Sequence, residues 1–451
     1  MAHAGPGVAP YNSSMRTRLA LFVLVLAASS WAQEPAEAPP LVEEADGFKF
    51  GGEIKAGFRW SQAQESPIFN GLNQVVGFMR TPDPGVSFEV QHLALSGEGF
   101  LTSGVFAKFE IRFLDTYNRN PTSTDAMVFV RQAFVRFGEK PELLSGVRGS
   151  RAYALFGMAP RFSKQVTRRL ETYGLVGTAV GRFEQPQLEV GGSFGEHLYA
   201  RAMIGSGNPL FLRDTNVLAG DNLSQGPAPN PGSTYQSGFP ILYDAKVTEL
   251  NVSGTPETGF GIGARIGGGD KAGADVLGWY FGRRLGDTAR LRGTDYPGEL
   301  AILKGGGFPI PTSGARRHEW GVNLQAKAKG LRFFGQWVEQ DLAGASRYGA
   351  EAEVAWIFSL PGLFLVGESP FGNWIQPTFR FSWLDNRFVA PRAFPRLAVQ
   401  WPWKKYDFGL RFGLVRNVDL TAEYTFHHVV RTATLPNLPM KEFVVTLRTG
   451  F

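Results

Sequence analysis

No cysteine occurs in the 451 residues. No disulfide can therefore staple the fold, and neither a thiolate nucleophile nor a cysteine-ligated metal is available. Charge is sparse as well, at 19% Asp, Glu, Lys and Arg. No apolar run approaches the roughly 20 residues that a membrane-spanning helix needs, and the mean hydropathy of −0.12 excludes a helical membrane protein. The six histidines lack metal-ligand spacing: His318-Glu319 has no second His one helical turn away, and a strand would point His427 and His428 to opposite faces. The net charge of +6 comes from scattered rather than clustered basic residues, which argues against a nucleic-acid partner.

What the chain does contain is glycine, 56 residues of it, and 37 phenylalanines. Gly costs about 1 kcal/mol in a helix interior relative to Ala, while Phe, Tyr, Trp and Val suit strands, so a β-rich fold is the economical reading. Glycine also explains two apparent motifs. Gly191-Gly-Ser-Phe-Gly195 matches the nucleophile-elbow pattern but closes a strand into a hairpin turn instead of entering a helix. Gly267-Gly-Gly and Gly305-Gly-Gly lack the Lys-Ser/Thr of a phosphate loop and read as loop tips. No catalytic residue emerges, and neither a cofactor nor a metal is expected.

Residues 1–32 hold no Asp or Glu. Met15-Arg-Thr-Arg18, the apolar run Leu19 to Ala28 and the small-residue stretch Ser29-Ser-Trp-Ala32 read as a secretory signal peptide spanning 1–32, with translation starting at Met15. Residues 33–46, rich in Pro, Glu and Ala, read as a flexible periplasmic lead-in.

From Phe48 onward the period is two. Phe48, Phe50, Ile54, Ala56, Phe58 and Trp60 alternate with Lys49, Glu53, Lys55 and Arg59. Similar stretches recur at about 105–113, 186–195, 197–206, 243–254, 259–267, 274–283, 317–329, 331–339, 347–358, 373–384, 405–416 and 418–430. Each approaches the ~10 residues that a tilted strand needs to cross a bilayer. Short turns (Gly195-Glu196, Thr255 to Thr258, Lys329-Gly330, Arg416 to Asp419) interleave with long loops at about 61–86, 160–185, 207–240 and 385–404. This pattern predicts an all-β fold over 47–451: a transmembrane antiparallel up-and-down barrel of 16 to 18 strands, turns on the periplasmic side and loops outside. Aromatics near strand ends (Trp60, Trp320, Trp337, Trp356, Trp374, Trp383, Tyr406) suit an interfacial girdle. A secreted β-sandwich would accommodate each aromatic separately, but not the signal and the turn alternation together.

The chain closes on Glu442-Phe-Val-Val-Thr-Leu-Arg-Thr-Gly-Phe451, with Phe443, Val445 and Leu447 on one strand face. This stretch resembles the closing strand of bacterial outer-membrane barrels, whose terminal Phe and alternating apolar residues form an assembly signal. The resemblance implies that Phe451, Leu447, Val445 and Phe443 engage the barrel-assembly machinery in the outer membrane.

If the apolar positions meet lipid, the alternate ones face a lumen. These include Lys49, Lys55, Arg59, Lys108, Arg112, Arg380, Arg411 and Arg448, set against Glu53, Glu110, Glu351, Glu353, Asp407, Glu423 and Glu442. The loop at 160–185 follows the fifth predicted strand and carries Arg161, Lys164, Arg168, Arg169 and Arg182. General porins fold the corresponding loop into the barrel as a constriction; by resemblance these five residues form a basic pore constriction. Ala154 to Phe162, followed by Arg168-Arg169, is also similar to the Gly-x-x-x-Pro-Phe region of the phosphate-selective porin O and P family: Gly157 and Pro160 match in residue type, with two residues between them, and Arg161 intervenes before Phe162. That resemblance implies a homotrimeric outer-membrane porin passing small hydrophilic solutes, anions such as phosphate among them. Two alternatives stay open: a non-conducting structural or adhesion barrel whose Pro-, Gly- and Asn-rich 207–240 loop meets a partner, and an outer-membrane barrel enzyme.

Overall fold

The computed structural model describes residues 47–62, 65–69, 75–80, 85–115, 128–138, 151–163, 169–172, 174–176, 184–207, 211–212, 243–244, 255–267, 272–284, 316–342, 345–386, 402–429 and 438–451. The expected signal peptide and the lead-in lie outside the described residues.

Sixteen strands among the described residues form one closed sheet. They are β1 (Phe48–Ser61), β2 (Gly85–Thr102), β3 (Val105–Asp115), β4 (Phe129–Gly138), β5 (Ala152–Pro160), β6 (Glu184–Phe194), β7 (Leu198–Gly205) and β8 (Glu257–Gly267). The second half comprises β9 (Gly273–Arg284), β10 (Arg316–Ala328), β11 (Leu331–Leu342), β12 (Ala345–Trp356), β13 (Trp374–Asn386), β14 (Trp403–Val415), β15 (Val418–Val429) and β16 (Leu438–Gly450). Each pairs antiparallel with its neighbours in sequence, and β1 pairs with β16 from Glu53↔Gly450 to Ser61↔Glu442. The order is up-and-down throughout, and the expected strand number holds at its lower end.

The alternation in sequence becomes two walls. In β16, Glu442, Val444 and Thr446 are buried, whereas Leu447 is 44% exposed on the opposite face. The same split runs through β8, where Phe260, Ile262 and Ile266 are exposed outward and Glu257 and Arg265 are buried inward. An outer surface of this kind suits hydrocarbon, and strands tolerate it only because every backbone donor and acceptor finds a partner within the sheet.

The tight turns are built by residues that accept positive φ: Lys329 (φ 45°) and Gly330 (φ 80°) between β10 and β11, Asn417 (φ 62°) between β14 and β15, and Gly195 (φ 66°) after β6. Two expectations fail. Tyr243–Asp244 does not belong to the closed sheet but pairs with Phe211–Leu212, and residues 245–254 lie outside the described residues. Thr255 to Thr258 is not a turn: Glu257 and Thr258 already pair with Gly205 and Ile204 of β7. Pro256 stands immediately before β8, where the ladder asks for no donor from it, so it opens a strand rather than bending the chain. Trp374 also departs from the expected girdle, since it lies beneath Arg411, with that guanidinium 5.5 Å from its ring centroid.

Closure carries its own contacts. The amide of Gly52 donates to the carbonyl of Phe451 at 2.9 Å, and the amide of Phe451 donates to the carbonyl of Gly52 at 3.1 Å. The Phe451 ring lies so close to Gly52 that a Cβ there would fall 2.3 Å from its Cζ. Phe451→Ala, which removes the ring, and Gly52→Leu, which collides with it, should both lower the fraction of chain reaching the compact, heat-modifiable form on an unboiled gel. Gly52→Leu should lower it further, because the backbone seam itself is forced apart.

Candidate functional site

The chain leaves β5 at Pro160 and passes into the barrel. Arg161 is 2% exposed. Its guanidinium donates to Glu257 of β8 at 3.0 Å and to Glu319 of β10, and it lies over the ring of Phe281 of β9, 4.4 Å from the centroid. Phe162 packs against the same Phe281, with ring centroids 4.7 Å apart. Two consecutive residues thus grip the wall, one by charge and one by apolar contact. Burial depresses the pKa of Arg161 and Glu257 raises it again; the guanidinium keeps its proton.

Residues 169–172 and 174–176 continue this attachment, reaching β12 to β15 and β1. Arg169 donates to Glu353 of β12 at 2.7 Å, and Lys55 of β1 donates to Glu171 at 2.7 Å. The amides of Glu171 and Thr172 both donate to Glu423 Oε2 of β15, at 2.9 and 3.1 Å. The Thr172 hydroxyl donates to the other oxygen of Glu423 and accepts from Lys405 of β14 at 3.0 Å. Arg380 of β13 binds the Thr172 carbonyl and Asp407 of β14, both at 2.8 Å. The Leu175 amide donates to Ser382 Oγ at 3.1 Å. Backbone groups that would otherwise be orphaned in an irregular segment are therefore taken up by wall carboxylates and hydroxyls.

Apolar contacts complete the seat. Phe162 and Val176 share a buried cluster inside the barrel with Met203, Trp279, Phe281 and Val338. The wall is dented where the segment touches it: a Cβ at Gly409 would fall 2.1 Å from Leu170 Cδ2, and one at Gly349 would fall 2.8 Å from Val176 Cγ2.

The residues expected to face the lumen occupy the inner wall mainly as matched pairs. Arg112 donates to Glu110 at 2.6 Å, Arg411 and Arg448 converge on Asp419 at 2.7 and 2.9 Å, and Lys108 pairs with Glu98. Lys49 stands opposite Glu98 in the ladder, and Arg59 is 3% exposed. Of the five basic residues on the 160–185 loop, Arg161 and Arg169 are described; the first binds β8 and β10 and the second binds β12. Lys164, Arg168 and Arg182 lie outside the described residues. Sequence reasoning passed over Glu257, Glu319, Arg317 and Thr172, which hold the segment in place. It also passed over the inward apolar residues. The usable signal was Val276-Leu-Gly-Trp-Tyr-Phe281, a strand apolar on both faces, as a strand covered on both sides must be.

These features define a class: a closed antiparallel barrel with an apolar outer wall and an ion-paired inner wall, holding the segment after its fifth strand inside. No family model and no curated protein matches the chain. Among solved structures it is similar to the outer membrane channel DcaP of Acinetobacter baumannii, with 10% identity, a TM-score of 0.51, and 90% of this chain and 97% of that one covered. OprB of Pseudomonas putida, in its high-pH structure, matches at 10% identity and a TM-score of 0.54, covering 90% of this chain and 94% of that one. OmpF of Salmonella typhi, in its complex with daunomycin, matches at 10% identity and a TM-score of 0.50, covering 90% and 97%. Similarity at this level of identity establishes the fold, that of the outer-membrane porin barrels.

Removing one partner of a buried pair strands the other. Arg161→Ala leaves Glu257 and Glu319, each 1% exposed, to share the guanidinium of Arg317, with only the neutral amides of Gln185 and Gln340 also donating to them among the described contacts. The loss should be on the order of 3 kcal/mol in urea unfolding of the refolded barrel. Glu257→Gln with Glu319→Gln in the same background should recover part of it by removing the uncompensated charges.

Proposed function

We propose that the chain is a passive outer-membrane porin, a water-filled channel through which small hydrophilic solutes diffuse down their gradients. The observation that carries this reading is the seating of residues 161–163, 169–172 and 174–176 inside a sixteen-stranded barrel whose inner wall is lined with charge. A barrel of this strand number is wide enough to leave an aqueous channel, and charged groups at its narrowest part set which ions pass. In this proposal the 160–185 loop is the constriction, residues 1–32 direct export, the closing strand is read by the barrel-assembly machinery, and three copies associate in the membrane. Transport of this kind uses no catalytic residue and no cofactor.

The finer reading is a lean towards anions, phosphate among them. Its support is the basic character of the 160–185 loop, in which Arg161 and Arg169 each meet wall carboxylates while Lys164, Arg168 and Arg182 add further positive charge to the same loop. Removing Arg169 would take a positive charge from the loop and one partner from Glu353, which Arg380 still meets at 3.6 Å, and both changes favour cations.

A second reading is a plugged, non-conducting barrel. It draws on the buried apolar cluster that Phe162 and Val176 form with the wall, a dry contact unlike the surface of a hydrated eyelet.

Single-channel recording of the refolded chain in a planar bilayer under a salt gradient separates the two. Stepwise openings with an anion-selective reversal potential are expected, and Arg168→Ala together with Arg169→Ala should move the reversal potential towards cation selectivity. Silence from protein shown to be folded would establish the plugged barrel, and openings with unchanged selectivity in the double variant would remove the loop from the selectivity mechanism.

A further inference from the structure

At the end of the barrel where β10–β11 and β14–β15 are joined by two residues each, β12 and β13 are joined by seventeen, 357–373. Phe358–Ser359 continues along β13, and beyond it Phe364–Val366 pairs with Ser369–Phe371 around a turn at Gly367-Glu368. The hairpin projects from a rim where a connection facing water would be polar. Instead, Leu363, Phe364, Leu365 and Val366 follow one another and are 72, 57, 71 and 50% exposed. Successive residues of a strand point to opposite faces, so apolar side chains stand uncovered on both sides of the hairpin. Glu368, at the turn, is the one ionisable residue from Phe358 to Asn373.

The place of attachment indicates what covers it. Phe364 stacks on Phe371 with centroids 4.7 Å apart, and Phe371 meets Phe412 at 6.2 Å. The amide of Gly372 donates to the carbonyl of Leu414 at 2.9 Å. Phe412 shares a strand face with Phe408 and Leu410, which are 53 and 45% exposed on the outer wall, while Arg411 on the other face binds Asp419 in the lumen. The hairpin therefore docks on the outward side of β14 and prolongs the apolar outer surface past the strand ends. Trp356 and Phe358, stacked at 5.5 Å and both exposed, mark the same level on β12.

We propose that the 358–373 hairpin is a lipid anchor: Leu363, Phe364, Leu365 and Val366 enter the acyl-chain boundary of the phospholipid leaflet at the short-turn end, with Glu368 left at the headgroups. The continuity of the hairpin with Phe408, Leu410 and Phe412 selects lipid over a soluble partner, because the surface it extends is the one that hydrocarbon already covers. The inference rests on the barrel lying in a membrane, and the experiment carries a control for that.

Because the chain has no cysteine, Leu365→Cys and Leu410→Cys each provide a single labelling site. The two full-length variants, labelled with an environment-sensitive fluorophore, are refolded into phosphatidylcholine vesicles containing acyl-chain spin-labelled lipid, with iodide as the aqueous quencher. The expected result is lipid quenching at position 365 within about twofold of that at 410, with iodide quenching at both positions several-fold below that of the free dye. Lipid quenching at 410 with iodide quenching at 365 would place the hairpin in water and overturn the anchor alone. Shielding of 365 from both quenchers, lost as the protein-to-lipid ratio falls, would assign the hairpin to a second copy of the chain and also overturn it. Absence of lipid quenching at 410 would overturn the membrane reading and the anchor together.

Discussion

A sheet whose outer face meets hydrocarbon cannot leave a strand edge open, because an unpaired amide or carbonyl there has no water to turn to. The pairing of β1 with β16 satisfies this constraint, and much of the remaining architecture follows from it. Closure fixes one set of alternate residues outward and the other inward. The outward set is apolar by necessity, and the inward set is free to carry charge but must then arrange how each charge is met.

The inner wall meets its charges with one another and with the segment after β5. Burying an ion pair contributes little net stability, since desolvation offsets the Coulombic gain, whereas a mismatched charge in the same place costs several kcal/mol. The pairs of Arg161 with Glu257 and Arg169 with Glu353 therefore act mainly by making other positions of the segment unfavourable. Attraction of a less selective kind comes from Phe162, Leu170 and Val176, each at most 4% exposed. Gly349 and Gly409 accommodate two of them by withholding a side chain from the wall. Charge sets the register of the segment, and apolar contact holds it there.

Much of the fold was legible because a strand half in lipid writes its structure locally. Period-two alternation located β8 to β15 to within a few residues, and the tight turns announced themselves through Gly195, Gly330 and Asn417. The errors arose where a local rule met a non-local fact. Residues 243–254 alternate plausibly, yet the neighbour of β7 is β8, which begins beyond Pro256. Leu277, Trp279 and Phe281 are as apolar as residues that meet lipid, yet they face inward, where Phe162, more than a hundred residues earlier in the chain, packs with them. The partners of Arg161 and Thr172 lie 96 to 251 positions along the chain, and no spacing rule connects residues so far apart. The basic loop itself was visible; the carboxylates waiting for it were not.

Those long separations bear on the order in which the molecule is put together. The segment after β5 is made early, but Glu423, which receives two of its amides, belongs to β15, the last strand but one. Until that strand arrives, the amides of Glu171 and Thr172 lack the carboxylate that receives them, and contacts of such span slow a fold's search. Once β1 and β16 have joined, the only way in is through the mouth of the finished barrel. A segment carried inside while the sheet is still an open curl avoids that passage, and the final seam then shuts around a channel already fitted with its contents.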